Sequence, residues 1–197
     1  MTIRDGYTDL PPGKIAAVVT YLEMHRRPPV AEPSSNGVRL RQVQNPTLDW
    51  YREFYRRAGA GWLWFSRLEI SDEDLSALLN RPTTELFVGE SEGREIGFAE
   101  LDRSHPPSVE IAFFALFAEA MGNGLGRPFM AQVLEQAWSD STERVWLHTC
   151  TLDSPAALGF YTKCGFRPYK RAIEVADDPR LRGVLPEGAA PHIPIIR

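Results

Sequence analysis

The alternation of apolar and polar positions divides the chain into short segments that predict strands and helices. Alternating or continuous apolar runs predict strands over 38–43, 84–89, 95–101, from 109 and over 144–149, and a final strand or hairpin over 166–175. Apolar residues spaced by three and four predict helices after Asn45-Pro46, after Ser71, over 130–138 and from 153 to 161. Residues 14–24 fit either element, but their β-branched content favours an added strand. This order predicts an α+β or α/β sandwich, with helices on both faces of a mixed sheet.

Local residues predict where the helices begin and end. Asn45 and Ser71 are suitable N-caps, and Asp153-Ser154-Pro155 combines a capping side chain with a proline in the first turn. Gly165 follows the last helix and is suited to a left-handed C-terminal residue.

One stretch, Val109 to Met130, joins a buried strand, a glycine loop and a helix. The loop carries Gly122, Gly124 and Gly126 at alternate positions. The helix that follows has an apolar face made of Met130, Val133, Leu134, Ala137 and Trp138. Unpaired amides and the positive end of the helix dipole point the same way at such a junction. The stretch therefore predicts an anion site, and the expected ligand is a phosphate.

Composition and charge limit the number of domains and the kinds of partner that we expect for this chain. With 197 residues, 43% of them hydrophobic, the chain has the size of one domain. We predict an N-terminal extension packing on the core (1–37), a main domain (38–176) and an irregular surface tail (177–197). The formal charge of −4 without a basic block argues against nucleic acid, and a mildly acidic surface suits cationic substrates. Two cysteines, no signal pattern and no long apolar run predict a cytoplasmic protein with reduced thiols and no membrane segment.

Two nucleotide-binding motifs do not fit the glycine loop. A Walker A loop ends in Gly-Lys-Ser/Thr, whereas this loop ends in Gly126-Arg127-Pro128. A dinucleotide fingerprint needs its third glycine where Arg127 stands. A plain turn remains the alternative on the loop alone.

A second segment points to one family. It reads Ser154-Pro-Ala-Ala-Leu-Gly-Phe-Tyr-Thr-Lys-Cys-Gly-Phe166, and the loop reads Met121-Gly-Asn-Gly-Leu-Gly126. Together the two segments resemble the GNAT-type N-acetyltransferase superfamily, whose element order also matches from about Val38 to Val175. The resemblance implies a mixed, mostly antiparallel sheet. It implies acetyl-coenzyme A (acetyl-CoA) as co-substrate, and a homodimer is consistent with it because dimers are common in the family.

The resemblance also implies roles for particular residues. The loop amides would hold the pyrophosphate of acetyl-CoA, and the backbone at Leu116, where the strand bulges away from its neighbour, would pair with the pantetheine arm. Tyr161 matches the tyrosine that usually protonates the departing thiolate. Met121 stands where the family usually has Arg or Gln, and Ser154 stands where it usually has Asn. The implied cofactor-binding set is Leu116, Phe117, Met121, Gly122, Asn123, Gly124, Leu125, Gly126, Arg127, Ser154, Ala157 and Tyr161.

Transfer of an acetyl group to an amine needs a base, an oxyanion donor and an acid. Glu110 is the first candidate base, with an ordinary strand carboxylate as the alternative interpretation, and Glu100 is the second candidate. Trp62 and Trp64 precede a helix where the family builds its acceptor site, and they either line an amine pocket through cation–π contacts or pack in the core.

His148 and Cys150 alternate along a predicted strand and therefore share a face. No third ligand has suitable spacing, so no metal site is predicted.

The sequence thus predicts an acetyl-CoA-dependent N-acetyltransferase that acts by direct attack in a ternary complex on a primary amine, with a small molecule as the favoured acceptor. A non-catalytic CoA-binding sensor or interaction module of the same fold is the second hypothesis, motivated by Met121 and Ser154. A nucleotide-phosphate binder that uses the same loop is the third.

Overall fold

The computed structural model describes residues 5–29 and 37–197, which are built around one seven-stranded sheet. The strands are β1 (Lys14–Met24), β2 (Arg39–Val43), β3 (Thr84–Ser91), β4 (Arg94–His105), β5 (Ser108–Leu116), β6 (Arg144–Cys150) and β7 (Arg167–Asp177). The helices are α1 (Leu48–Gly59), α2 (Ser66–Glu69), α3 (Asp72–Leu79), α4 (Gly126–Ala137) and α5 (Ala157–Lys163), with short 3₁₀ turns at Ala60–Trp62 and Ala118–Ala120. The predicted mixed α/β fold is confirmed.

The strands lie in the order β2-β3-β4-β5-β6-β1-β7, and every neighbouring pair is antiparallel except β5 and β6. The strand predicted at 14–24 is confirmed, and it lies inside the sheet, where it pairs with β6 on one side and β7 on the other. This part of the first 37 residues is thus built into the sheet rather than packed on it as an extension. The parts of that extension at 1–4 and 30–36 lie outside the described residues.

Helices cover both faces of the sheet, as predicted. On one face, α1 and α3 pack on β3 and β4, and the aromatic side chains of α1 form the core there. On the other face, α4 packs through its predicted apolar stripe, all five residues of which are buried. The two helical layers therefore bury the sheet from both sides.

Two of the predicted helix starts are wrong. Thr47, not Asn45, caps α1, because its hydroxyl accepts a hydrogen bond from the amide of Trp50 at 3.2 Å. Helix α5 begins only at Ala157, and no side chain caps it. The carboxylate of Asp153 is directed at β6 instead, as described below. The Ser71 cap and the left-handed Gly165 (φ +100°) are confirmed.

The segment after β7 is irregular, as predicted, but it does not lie wholly on the surface. Arg180 and Asp178 form a buried ion pair at 2.7 Å. The guanidinium also donates to three backbone carbonyls of the tail, which belong to Ala189, Ala190 and Ile193. Leu185 and Ala190 pack into a small core with Ile15 and Leu63. The tail is thereby held against the start of β1, next to the aromatic segment that follows α1.

Candidate active site

The sheet opens between β5 and β6. The two parallel strands pair only from Ser108 and Arg144 to Glu110 and Trp146, although β5 continues to Leu116 and β6 to Cys150. Beyond the last pair, a cavity of about 840 Å³ lies between the strands. Side chains of both strands line it, together with the glycine loop, the start of α5 and the aromatic segment at 62–67. This volume is in the range of ligand-binding clefts.

The glycine loop forms one end of this cavity. Gly122 and Gly124 have φ angles of +79° and +74°, which favour glycine, and both line the cavity. Gly126 begins α4, where a Cβ atom would lie 3.2 Å from the ring of Phe160. Within the described parts of the chain, the amides of 122–125 donate no backbone hydrogen bond of good geometry. The loop therefore presents free donors at the N-terminus of a helix.

The remaining loop residues divide into two groups. Met121 and Arg127 line the cavity, and Met121 is 40% exposed. Asn123 and Leu125 do not line it. The side-chain amide of Asn123 donates to the carbonyl of Glu119 at 3.3 Å, and Leu125 packs against the core.

The strand before the loop differs from the expectation in two details. The bulge lies at Ala112, because Glu100 pairs with Phe113 and Leu101 with Ile111, whereas Leu116 remains paired with Gly97. Phe117 is not available to a cofactor. Its amide donates to the carbonyl of Ile96 at 2.8 Å, and its side chain is fully buried. Leu116 does line the cavity.

Tyr161 lies on α5 at the cavity wall, among the rings of Phe114, Phe160 and Phe166. Burial raises the pKa of its phenol well above the ordinary value, so the hydroxyl stays protonated at neutral pH. Ala157 lines the cavity one turn before it. Ser154 also lines the cavity, and its hydroxyl accepts from the amide of Ala156 at 3.4 Å without capping α5.

Glu110 is the last residue of β5 that pairs with β6, and it lines the cavity with a side chain 22% exposed. Its Oε1 atom lies 3.7 Å from Nδ1 of His148 on β6. His148 and Cys150 both line the same cavity, which confirms that they share a face. Within the described residues no group of three or more His, Cys, Asp or Glu side chains is arranged to hold a metal ion.

Glu100, the second candidate base, does not reach this cavity. It is 1% exposed and accepts hydrogen bonds from the hydroxyl of Tyr51 at 2.5 Å and the guanidinium of Arg67 at 2.7 Å. Burial and the neighbouring Glu100 carboxylate raise the pKa of Tyr51, so this phenol remains neutral. Glu100 therefore holds the Arg67 guanidinium in place, where it faces the ring of Phe113 at 4.9 Å.

Trp62 and Trp64, the two candidate acceptor-site residues, both line the cavity and are held there by different contacts. Trp64 packs on Tyr55 and Phe113, and its indole N–H donates to Oδ1 of Asp153 at 2.8 Å. Gly59 makes room for it, since a Cβ there would lie 2.3 Å from Trp64. Trp62 meets His192 of the tail edge to face.

Sequence reasoning missed the bridging role of Asp153. Its second oxygen accepts from the hydroxyl of Thr149 and the amide of Cys150 at 2.7 and 2.9 Å, so it joins β6 to Trp64. Because Asp153 comes just before a helix, its position in the sequence favours a helix cap. No local signal indicated that its partner would be Trp64, 89 residues earlier in the chain.

Comparison with known proteins gives the family. The family model described as "Acetyltransferase (GNAT) family" matches residues 45–166, more than half of the chain. No curated protein matches by sequence.

Solved structures of low sequence identity share the fold. A putative GNAT acetyltransferase from Novosphingobium aromaticivorans has a TM-score of 0.58 at 15% identity, over 86% of this chain and 70% of that one. A Bacillus subtilis acetyltransferase in complex with CoA has a TM-score of 0.51 at 20% identity, over 66% and 76%. An aminoglycoside acetyltransferase from an uncultured soil metagenomic sample, in complex with sisomicin, has a TM-score of 0.52 at 17% identity, over 65% and 87%.

The chain spans between 52% and 88% of the length of such neighbours. In the described residues, none of the helices combines the length and apolar character needed to cross a bilayer. The matched segment includes the glycine loop, the strands that border the cavity and the tyrosine helix. This protein therefore belongs to the GNAT acetyltransferase family.

Proposed function

We propose that the protein transfers an acetyl group from acetyl-CoA to a primary amine of a small molecule, by direct attack in a ternary complex. The observation that carries the proposal is one continuous cavity. The loop amides and Arg127 line it after the end of β5, Glu110 and His148 line it where β5 and β6 separate, and two tryptophans also belong to the lining. An anion site and an amine site that share a cavity fit a reaction between a phosphorylated cofactor and an amine.

The loop end fits the CoA pyrophosphate. The amides of Gly122, Gly124 and Gly126 would bind its oxygens, and Arg127 would add a positive charge. Leu116 would offer backbone to the pantetheine arm. Bound acetyl-CoA supplies an acetyl group activated as a thioester. Met121 stands where the family usually has a side-chain donor, Arg or Gln, but the backbone donors remain. We therefore expect CoA to bind more weakly than with such a donor, but still to bind.

Glu110 and Tyr161 divide the proton transfers between them. Glu110 accepts the proton that the amine loses as its nitrogen bonds to the acetyl carbon, and His148 lies close enough to steady the carboxylate. Tyr161 donates its phenolic proton to the sulfur as the carbon–sulfur bond breaks. The products are an amide and free CoA, and proton exchange with solvent restores both side chains.

The protonation of Cys150 supports direct attack by the amine over a mechanism in which the acetyl group is first transferred to this cysteine. Burial, and then the neighbouring Asp153, raises the pKa of the Cys150 thiol to about 11. A thiol with this pKa is almost entirely protonated at neutral pH, and the thiolate is the nucleophilic form.

Carboxylates and aromatic rings in the cavity lining suit a cationic acceptor. Asp102 and Glu110 bring carboxylates to the lining, and Trp62 and Trp64 bring ring faces that attract ammonium groups. The sisomicin complex of a neighbour with the same fold supports a small amine as acceptor.

Binding is tested by thermal-shift titrations with acetyl-CoA, CoA and ATP in parallel. Saturation at roughly a hundred times the dissociation constant adds about 2.7 kcal/mol of stability. Shifts with both CoA forms and none with ATP are expected. An equal shift with ATP would favour the nucleotide-phosphate hypothesis, and no shift at all would contradict the loop site.

Turnover is tested by following free thiol release with a panel of aminosugars, polyamines and peptides. Tyr161→Phe is expected to lose turnover while keeping the thermal shift with CoA, and Tyr7→Phe, at a fully exposed tyrosine, is the matched control. Binding of CoA without thiol release for any acceptor would favour the sensor hypothesis. Unchanged turnover in Tyr161→Phe would remove the tyrosine from the mechanism.

A further inference from the structure

Strand β7 forms one end of the sheet and has a free edge. It pairs with β1 on one side, and no described residue pairs with its other side. The strand is eleven residues long, and nearly all of its side chains are exposed. Long edges with unpaired backbone groups are templates for another strand, and proteins usually shorten or cover them.

One face of this edge is also apolar. Ile173 and Val175 point to the same side of the strand, with exposures of 52% and 53%. On β1, Val18 lies directly opposite Ile173 and is 41% exposed. These three side chains form a continuous strip at the end of the sheet, whereas isolated exposed apolar residues would need no explanation.

The charges of β7 indicate which strand pairs with its free edge. The sequence RPYKRAIEVAD is basic in its first half and acidic in its second. A second strand of the same sequence, running antiparallel and centred on Ala172, places its Lys170 opposite Glu174. By symmetry the same ion pair forms twice, once on each side of the centre, and opposite charges directly across a strand pair are stabilising.

Neighbouring registers lose this match. Centring the pair on Arg171 places Lys170 opposite Ala172 and Glu174 opposite Pro168. Centring it on Ile173 places Lys170 opposite Ala176 and Glu174 opposite Ala172. A slip of one residue between the strands would turn the apolar strip of one copy to the other face of the sheet. The register centred on Ala172 is therefore the one that the charges favour.

We propose that β7 binds β7 of a second copy of this chain, antiparallel about a two-fold axis through Ala172, so that the two sheets become one. Such a contact is isologous, since each copy offers the same strand. Glu174 lines the cavity, so the contact brings Lys170 of the partner subunit to the margin of each amine site.

The oligomeric state of the full chain, measured by light scattering after size exclusion, tests the proposal. The wild-type protein is expected to be a dimer. Lys170→Glu and Glu174→Lys each place like charges opposite one another and should give monomers, and the double variant should restore the dimer. Arg171→Glu reverses a charge opposite Ile173 and should remain dimeric.

A cysteine at the two-fold axis tests the register. Directly opposite residues in an antiparallel pair have Cα atoms about 4.5–5.5 Å apart, within disulfide range. In a Cys150→Ser, Cys164→Ser background, Ala172→Cys is expected to form a disulfide-linked dimer on oxidation, and Ile173→Cys is not.

Two results would overturn the proposal. One is a wild-type monomer at the highest concentration that stays in solution. The other is a dimer that persists in both single charge variants and fails to cross-link through Ala172→Cys, because the two copies would then meet at another surface.

Discussion

The two ends of the cavity are built in different ways. The glycine-loop end is made of backbone from one continuous segment, and its conformation depends on residues with positive φ such as Gly124. The aromatic end is made of side chains far apart in the chain, of which Trp64 and Asp153 are joined by a hydrogen bond. We therefore expect the first end to tolerate the loss of a side chain and the second to depend on each member of its network.

The same contrast separates the two glutamates of the central strands. Glu110 lies at the point where β5 leaves β6, so its carboxylate reaches the cavity. Glu100 lies on β4 under α1, where Arg67 and Tyr51 bind its carboxylate. Equivalent residue types on neighbouring strands thus have a proposed chemical role and a structural role.

The largest expected effect is that of Glu110→Gln. The amide cannot accept a proton, so turnover should fall by about 10²- to 10⁴-fold, with the CoA thermal shift retained. Steady-state rates of thiol release measure this effect. Glu95→Gln, on a partly exposed strand carboxylate away from the cavity, is the control. Wild-type turnover in Glu110→Gln would contradict the assignment of the base.

The next prediction distinguishes the structural role of Glu100 from the catalytic role proposed for Glu110. Glu100→Gln leaves the Arg67 guanidinium without its charged partner in a site where its side chain is only 19% exposed. We expect a loss of about 3 kcal/mol in the free energy of unfolding, measured with urea. Turnover per folded molecule should fall much less than in Glu110→Gln. A stable variant that has lost its turnover would reverse the roles given to the two residues.

Trp64→Phe tests the network at the aromatic end. It keeps an aromatic ring but removes the donor to Asp153, and hydrogen bonds to charged groups contribute about 1.5–3 kcal/mol. We expect a loss of stability near the lower limit and a raised KM for the acceptor, with CoA binding unchanged. Trp62→Phe is the matched control, since the Trp62 ring meets His192 at the rim. Equal effects of the two substitutions would show that the Asp153 bond contributes nothing specific.

The smallest effect on stability is expected at the loop end. Gly124 and Gly93 both have φ of +74°, and at neither position would a Cβ atom have a neighbour within 4 Å. Alanine at either site should cost about 1 kcal/mol, because the left-handed conformation disfavours a side chain. Only Gly124→Ala should also weaken CoA binding, as seen in titrations. Equal CoA affinity in the two variants would show that the loop amides do not bind the cofactor.

Local patterns predicted much of this molecule. The apolar stripe of α4, the Ser71 cap, Gly165 and the strand at 14–24 are confirmed, since each depends on the periodicity or backbone preference of nearby residues. The Asn45 cap is wrong, because Asn45 has a left-handed backbone (φ +50°), whereas Thr47, directly before α1, has the extended backbone of an N-cap.

The site shows the same division. The order strand, glycine loop, helix could be predicted because an anion nest needs backbone conformations that adjacent residues determine. The burial of Glu100 and Phe117, the turn of Asp153 away from α5 and the position of β1 between β6 and β7 depend on contacts between distant segments.

By itself, the sequence determined the elements, the family resemblance and the loop end of the cavity, because these arise from interactions over a few residues. Only the tertiary structure decided which carboxylate reaches the cavity and which supports an arginine. It also decided that the tail is anchored by Asp178 and Arg180. Burial and partnership of a charged side chain depend on what packs against it, and that information is spread over the whole chain.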